Sequence, residues 1–334
     1  MGGDRAPACV VDGCALALQA EIVRPEELLL VGRPEDLQPL LAARGLVIEL
    51  VPAPEVVGMD ESPALAIRNK RQSSLAVAMK AVAEGRAQAF LSAGNTGAVV
   101  AASTLLLGRI RGVARPGIAA PVPTRRGPCI VIDVGANIYC KPEHMLHYAI
   151  MASEYARAAF GATDPKVGLL NIGEEEGKGN PLIQQVHALL QAAPVNYEGF
   201  VEGQDIMSGA FDVVVCEGFV GNAILKVAEG LGAFVSEQIR SAFAAHPPPP
   251  ATGKAVEEAF RRLDYAEYGG APLLGLDGVC IIGHGRSNAR AVASAVRAAK
   301  EAVSANVVSA IRDSIAHASD GRAATTVRDS EISD

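Results

Sequence analysis

Short apolar runs alternate along this chain with longer stretches of helical periodicity, and no other feature narrows the fold as much. Residues 28–31, 47–51, 87–91, 129–134, 167–171, 212–216 and 279–282 read as buried strands. Residues 73–84, 143–160, 182–190 and 290–311 carry apolar positions at helical spacing between them. A strand that must be followed by a helix before the next strand builds a parallel sheet with helices on both faces. The expected class is therefore three-layer α/β/α with a mostly parallel sheet. With 334 residues, the chain can form one large unit over residues 1–314.

The interval 231–268 breaks this rhythm. Leu231, Phe234, Val235, Ile239, Ala242 and Phe243 share one helical face, and four prolines at 247–250 then forbid a continuous helix. A second amphipathic stretch follows with Val256, Phe260 and Leu263. This predicts an inserted helical hairpin with a Pro-rich tip, either packed on the body or exposed for contact with a second copy or a membrane surface. Residues 315–334 are polar and read as a loose tail.

Aromatic residues make up 4% of the chain, Trp is absent and the net charge is −7, which argues against a nucleic-acid partner. None of the six cysteines forms a Cys-x-x-Cys pair and several lie in apolar runs, so they read as buried thiols of a reducing, cytoplasmic compartment. No uninterrupted apolar run reaches the ~18 residues of a spanning helix.

The chemistry is expected where strands end. Five small polar turns follow strands: Ser92, Gly94, Asn95, Thr96 and Gly97; Asp133, Gly135 and Asn137; Asn171, Gly173 and Glu174; Gly218, Gly221 and Asn222; and His284, Gly285 and Ser287. A sixth, Gly2, Gly3 and Asp4, opens the chain. Glycine lets backbone N–H groups approach an anion, and the helix that follows favours negative charge at its start. One such turn is ordinary punctuation. Five on parallel strands are expected to line one crevice for an anionic ligand. Lys141, Lys178 and Lys226 stand near these turns and are phosphate candidates, although a single Lys is usually a solvated charge.

Standard motifs are absent. The 173–179 stretch is one residue short of a phosphate loop, and Asn288 stands where a dinucleotide fingerprint needs its third glycine. His144 and His147 have helical i,i+3 spacing, but a metal pair is less favoured than capping and packing, so no metal and no cofactor is expected. No covalent nucleophile stands out, which suits a reaction in which phosphate itself attacks.

Taken together, M-G-G-D-x-A-P at 1–7, S-A-G-N-T-G at 92–97, D-V-G-A-N at 133–137 and C-K-P-E-H at 140–144 resemble one family. So do N-I-G-E-E-E-x-K-G-N at 171–180, E-G-F-V-G-N-x-x-L-K at 217–226, Y-G-G-A-P-L-L-G at 268–275 and H-G-x-S-N at 284–288. In order and nearly end to end, they resemble the PlsX family, the bacterial phosphate acyltransferases of phospholipid synthesis.

The resemblance implies a fold like the isocitrate and isopropylmalate dehydrogenases and phosphotransacetylases. It implies reversible transfer of a fatty acyl group from acyl-carrier protein to inorganic phosphate. It further implies a homodimer, peripheral at the inner face of the cell membrane, whose hairpin lies where acyl phosphate passes to the glycerol-3-phosphate acyltransferase. On this basis Lys178, Asn180 and His284 are the catalytic candidates. Lys178 and Lys226 would neutralise phosphate, Asn95, Thr96 and Asn137 would donate to phosphate or an oxyanion, and His284 would protonate the departing thiolate.

Two departures enter the expectation. The family carries a strand ending in Asp-Ala before Met-Gly-Gly-Asp, so Met1 is expected to be an internal methionine of a longer protein. Tyr139 stands where Asp is usual, which bears on phosphate, metal or carrier binding. Alternative readings are a phosphotransacetylase-like enzyme using acyl-CoA, a β-decarboxylating dehydrogenase, and an inactive, truncated membrane-associated scaffold.

Overall fold

In the computed structural model, residues 1–263 and 269–331 are described, with side chains described for 1–260 and 269–319. Among the described residues, ten strands form two sheets. The strands are β1 (Leu29–Gly32), β2 (Glu49–Pro52), β3 (Ala89–Ser92), β4 (Gly117–Thr124), β5 (Gly127–Ile132), β6 (Lys166–Leu170), β7 (Asn196–Val201), β8 (Val213–Val215), β9 (Ala271–Leu274) and β10 (Val279–Ile282). β1 and β2 make a parallel pair of their own, and the other eight run in the order β3-β10-β9-β4-β5-β8-β6-β7.

The helices are α1 (Ala8–Gln19), α2 (Pro34–Ala42), α3 (Pro63–Asn69), α4 (Ser74–Ala83), α5 (Thr96–Ala102), α6 (Pro142–Phe160), α7 (Pro181–Gln191), α8 (Gly218–Ala245), α9 (Pro250–Leu263), α10 (Ala289–Ser304) and α11 (Val307–Glu331). The α/β class and the mostly parallel sheet stand as expected. Among the pairings of the large sheet, β3–β10, β5–β8, β8–β6 and β6–β7 are parallel.

Two strands at the centre change how the sheet is used. β9 pairs antiparallel with both β10 and β4, and β4 pairs antiparallel with β5. β3 and β10 consequently point opposite to β5, β8, β6 and β7. The polar turns therefore leave the large sheet from two opposite edges and do not line one. β4 and β9 escaped the sequence reading because Pro121, Pro123 and Pro272 interrupt them, and proline removes a ladder donor. β7 escaped because Gly199 breaks its pattern, at the point where its register with β6 slips.

α6 is the centre of the core. Its Met145, Leu146, Tyr148, Ile150 and Met151 are all buried, and sheet and helices enclose nearly the whole of residues 144–156. The 290–311 pattern divides into α10 and α11 at Asn306, whose φ of 52° is left-handed. α11 runs past residue 314, where the loose tail was expected to begin, and Ile315 is buried against Gly112.

The hairpin region differs from its expected bounds. Its first helix begins thirteen residues earlier, at Gly218, and Pro250 opens the second helix. Residues 264–268 lie outside the described residues. As a whole α8 is long and apolar enough to cross a membrane by length and composition, although Asn222, Lys226 and Glu229 interrupt its apolar run. Its first turn is fixed to the sheet, since Gly218 and Gly221 are buried and the Gly218 amide donates to the Asn137 carbonyl at 3.0 Å. Met1 packs on the cluster that includes Leu37, and the outer edge of β3 pairs with no strand among the described residues.

Candidate active site

At one edge of the sheet, the ends of β3 and β10 meet the glycine turn at residues 2–4. A Cβ on Gly3 would sit 2.9 Å from the Ala93 carbonyl oxygen, and one on Gly2 would sit 2.6 Å from that of Val57. The Asp4 amide donates to the Gly285 carbonyl at 2.9 Å. Side chains would hold these three turns apart. Glycine lets their backbones close on one another, with Ser92 Oγ accepting from the Gly94 amide at 3.1 Å and Ser287 buried behind Gly283.

His284 stands at this junction. Its Nδ1 accepts from the Arg286 amide at 3.1 Å, so in the neutral ring the proton resides on Nε2. Burial lowers its pKa first, with Lys226 and Arg286 pushing the same way, while Glu229 and Asp4 pull it back. The imidazole is thus kept neutral near pH 7. A neutral ring suits hydrogen-bond donation to a developing oxyanion better than full proton transfer to a thiolate, which leaves readily without help.

At the opposite edge, the turn after β5 is organised by Asp133, whose side chain is fully buried. Its Oδ1 accepts from the amides of Ile118 (3.0 Å), Gly135 (3.1 Å) and Ala136 (3.0 Å). Its Oδ2 accepts from the Asn137 amide at 2.7 Å. Burial raises its pKa, and the donors from Ala136, Ile118 and Asn137 pull against that shift. Asn137 Nδ2 donates to the Pro116 carbonyl at 2.7 Å and to the Tyr148 hydroxyl at 2.8 Å. Both side chains are engaged in building the loop, Asp133 as acceptor and Asn137 as donor, where direct contact with the ligand was expected of them.

Other predicted asparagines are engaged to different degrees, and buried Asn171 Oδ1 has no hydrogen-bond partner among the described residues. Asn95 Oδ1 caps α5 at the Ala98 amide (3.0 Å), and its Nδ2 donates to the carbonyls of Met59 (2.8 Å) and Glu61 (3.1 Å). Asn180 caps α7 at the Ile183 amide, 3.0 Å away. Asn171 Nδ2 ties the Gly173 and Lys178 carbonyls together, each at 3.1 Å.

Lys178 is exposed and ion-paired to Glu175 at 2.8 Å, which raises its pKa; it lies on the turn after β6, with exposed Glu174. Lys141 is exposed at the cap of α6, where its amide donates to His144 Nδ1 at 3.2 Å, and His147 Nδ1 accepts from the Ala114 amide at 3.2 Å. Thr96 is exposed at the first position of α5, and Gly97 backs onto Pro63. The sequence reading passed over the 58–61 loop that Asn95 pins, whose one cue is Gly58 before a polar turn.

α8 joins the two edges. It packs over β4 and β5, with Ile224 and Leu225 half-buried against the core on that side. A Cβ on Gly221 would sit 2.0 Å from the Asp133 carbonyl oxygen, so the helix seats on that loop. Asn222 lies against Gly135, and one turn on Lys226 pairs with Glu229 at 2.8 Å and reaches the electrostatic environment of His284. The candidate site is therefore the region between the two sets of turns, bridged by the first turns of α8.

A family model described as "Fatty acid synthesis protein" matches residues 1–310. The phosphate acyltransferase of Heliobacterium modesticaldum is 46% identical over 323 residues, covering 94% of this chain and 96% of its own. That of Desulfitobacterium hafniense (strain DSM 10664 / DCB-2) is 48% identical over 320 residues, covering 93% and 95%.

The chain belongs to this family.

It is an acyltransferase, and it moves acyl groups onto phosphate in fatty acid and phospholipid synthesis. The fold is also that of a phosphotransacetylase from Streptococcus pyogenes, with a TM-score of 0.63 at 16% identity, covering 90% of this chain and 92% of that one. A branched-chain phosphotransacylase from Enterococcus faecalis gives 0.56 at 16% identity, covering 90% and 96%.

Proposed function

We propose that the acyl donor of this phosphate acyltransferase is acyl-carrier protein and that the reaction runs in the cleft beside His284. Phosphate occupies the glycine-lined junction of the 2–4, 92–97 and 283–287 turns, with Lys226 supplying positive charge. A phosphate oxygen attacks the thioester carbonyl carbon, the C–S bond breaks, and the thiolate leaves to take a proton from solvent. Phosphate is already anionic at neutral pH, so holding and orienting it supply most of the rate. Nε2–H of His284 stabilises the carbonyl oxygen as charge develops there. The observation that carries this reading is the backbone-to-backbone closure of Gly3, Ala93 and Gly285 next to a neutral histidine.

The chain acts as a homodimer at the inner face of the cell membrane, handing acyl phosphate to the membrane acyltransferase that uses glycerol 3-phosphate. The support is the outward face of α8, where Val227, Leu231, Phe234 and Val235 are exposed. The phosphotransacetylase-like fold favours acyl-CoA as the competing donor. Thiol release from palmitoyl carrier protein and from palmitoyl-CoA, each with and without phosphate, separates the two. Phosphate-dependent release from the carrier protein is expected, and release from CoA alone would overturn the donor assignment.

A further inference from the structure

Four large apolar side chains stand in water around one end of the cleft. Tyr139 is 91% exposed, Ile172 80%, Phe219 66% and Ile138 57%. They come from the turns after β5, β6 and β8, three adjacent strands in the order β5-β8-β6. The Gly218 amide bonds the Asn137 carbonyl, which makes Ile138 and Phe219 flanking neighbours. β6 and β8 pair with Leu169 opposite Val215, so Ile172 and Gly218 leave the sheet three residues later at the same level.

The opposite wall differs in chemistry. Around the 2–4 and 284–286 turns the exposed side chains include the charged Asp4, Arg5 and Arg286, with Met59 against Gly285. The rim end carries the four apolar side chains beside the exposed Lys178–Glu175 pair, whereas the other end carries two arginines and Asp4. On α8 Phe219 and Lys226 lie seven residues apart on nearly the same side, which is about 10 Å along the helix.

From this arrangement we propose that Ile138, Tyr139, Ile172 and Phe219 form the binding surface for the fatty acyl chain. It runs from the reacting carbonyl beside Lys226 and His284, along α8, to the rim. This rests on the phosphate acyltransferase reading and adds the substrate's second contact. The established reaction requires an acyl chain attached within bonding distance of the phosphate, and the rim lies about 10 Å along α8 from Lys226 on nearly the same side. Short acyl groups end before the rim; long ones reach it.

The test measures phosphate-dependent thiol release from carrier protein loaded with four-, ten- and sixteen-carbon acyl groups. It uses the intact chain, Ile172→Asn, Phe219→Ser and the pair Leu231→Ser/Phe234→Ser farther along α8. About two methylenes of lost burial correspond to a tenfold change. The intact chain should therefore prefer sixteen carbons over four in kcat/KM by tenfold or more. Ile172→Asn and Phe219→Ser should shrink that ratio about tenfold through KM, and the outer pair should leave it in place. An intact chain indifferent to length overturns the proposal while phosphate-dependent release survives. A ratio that follows Leu231 and Phe234 moves the chain to the outer face and overturns it too. Rim variants that keep the ratio but become monomeric by sedimentation assign the rim to a second copy instead.

Discussion

Asp133→Asn is the substitution that most directly probes how the cleft is built. It keeps the shape of a fully buried side chain and removes its charge. If the amide oxygen takes the Oδ1 position, it still serves Ile118, Gly135 and Ala136, but the new NH2 group then faces the Asn137 amide, a donor 2.7 Å away. Reversing the amide satisfies Asn137 and strands the other three. Either way at least one amide loses a charge-assisted bond, which costs about 1.5–3 kcal/mol, and those that remain now accept from a neutral group. The sum is about 3 kcal/mol. With a urea slope on the order of 3 kcal/mol per M, the unfolding midpoint should fall by about 1 M. Turnover should drop with it, because the same loop seats Gly218 and Gly221 of α8. An unchanged midpoint and unchanged turnover would refute the claim that a buried carboxylate organises this edge.

Gly221→Ala places a methyl group 2.0 Å from the Asp133 carbonyl oxygen, which is backbone and cannot swing aside, so the start of α8 must shift. A cost of about 2–3 kcal/mol in thermal unfolding and loss of most activity are expected; wild-type behaviour would mean the helix does not seat there. Lys178→Ala removes an exposed lysine already paired with Glu175, so the melting temperature should hold and turnover should stay within about threefold. A much larger loss of turnover would restore Lys178 to the phosphate site. His284 has a lowered pKa, so the unfolded chain binds its proton more readily than the native one. Its contribution to stability is present above the ordinary ~6.5 and is lost as pH falls from there through the lowered value. A proton-NMR titration of the ring should give a midpoint below the ordinary value, and turnover should decline on the acid side with that midpoint. A midpoint at or above ~6.5 would remove the case for a neutral donor.

Much of the architecture was legible because strand and helix periodicities are local. Seven strands, the long helices and the break at the prolines follow from apolar spacing, glycine turns and proline stops that act over a few residues. The asparagines that precede α5, α7 and α10 cap those helices, a signal that the sequence reading took instead as ligand contacts at Asn95 and Asn180. What such signals mean was decided elsewhere. Asn95 and Asn137 carry side chains that would serve a phosphate as well as a carbonyl. Only the approach of Met59, Glu61, Pro116 and Tyr148, distant in sequence, shows that the protein itself has taken them. The direction of each strand was likewise out of reach. β4 and β9 are proline-bearing segments that are strands only because their neighbours pair with them, and their insertion reverses β3 and β10 against β5. The sequence by itself determined that glycine turns would follow strands and that the ligand would be an anion, because glycine conformation and helix-start polarity are properties of a few consecutive residues. Only the tertiary structure decided that those turns flank a cleft from two edges, with α8 between them, because strand pairing is a contact between residues far apart in the chain.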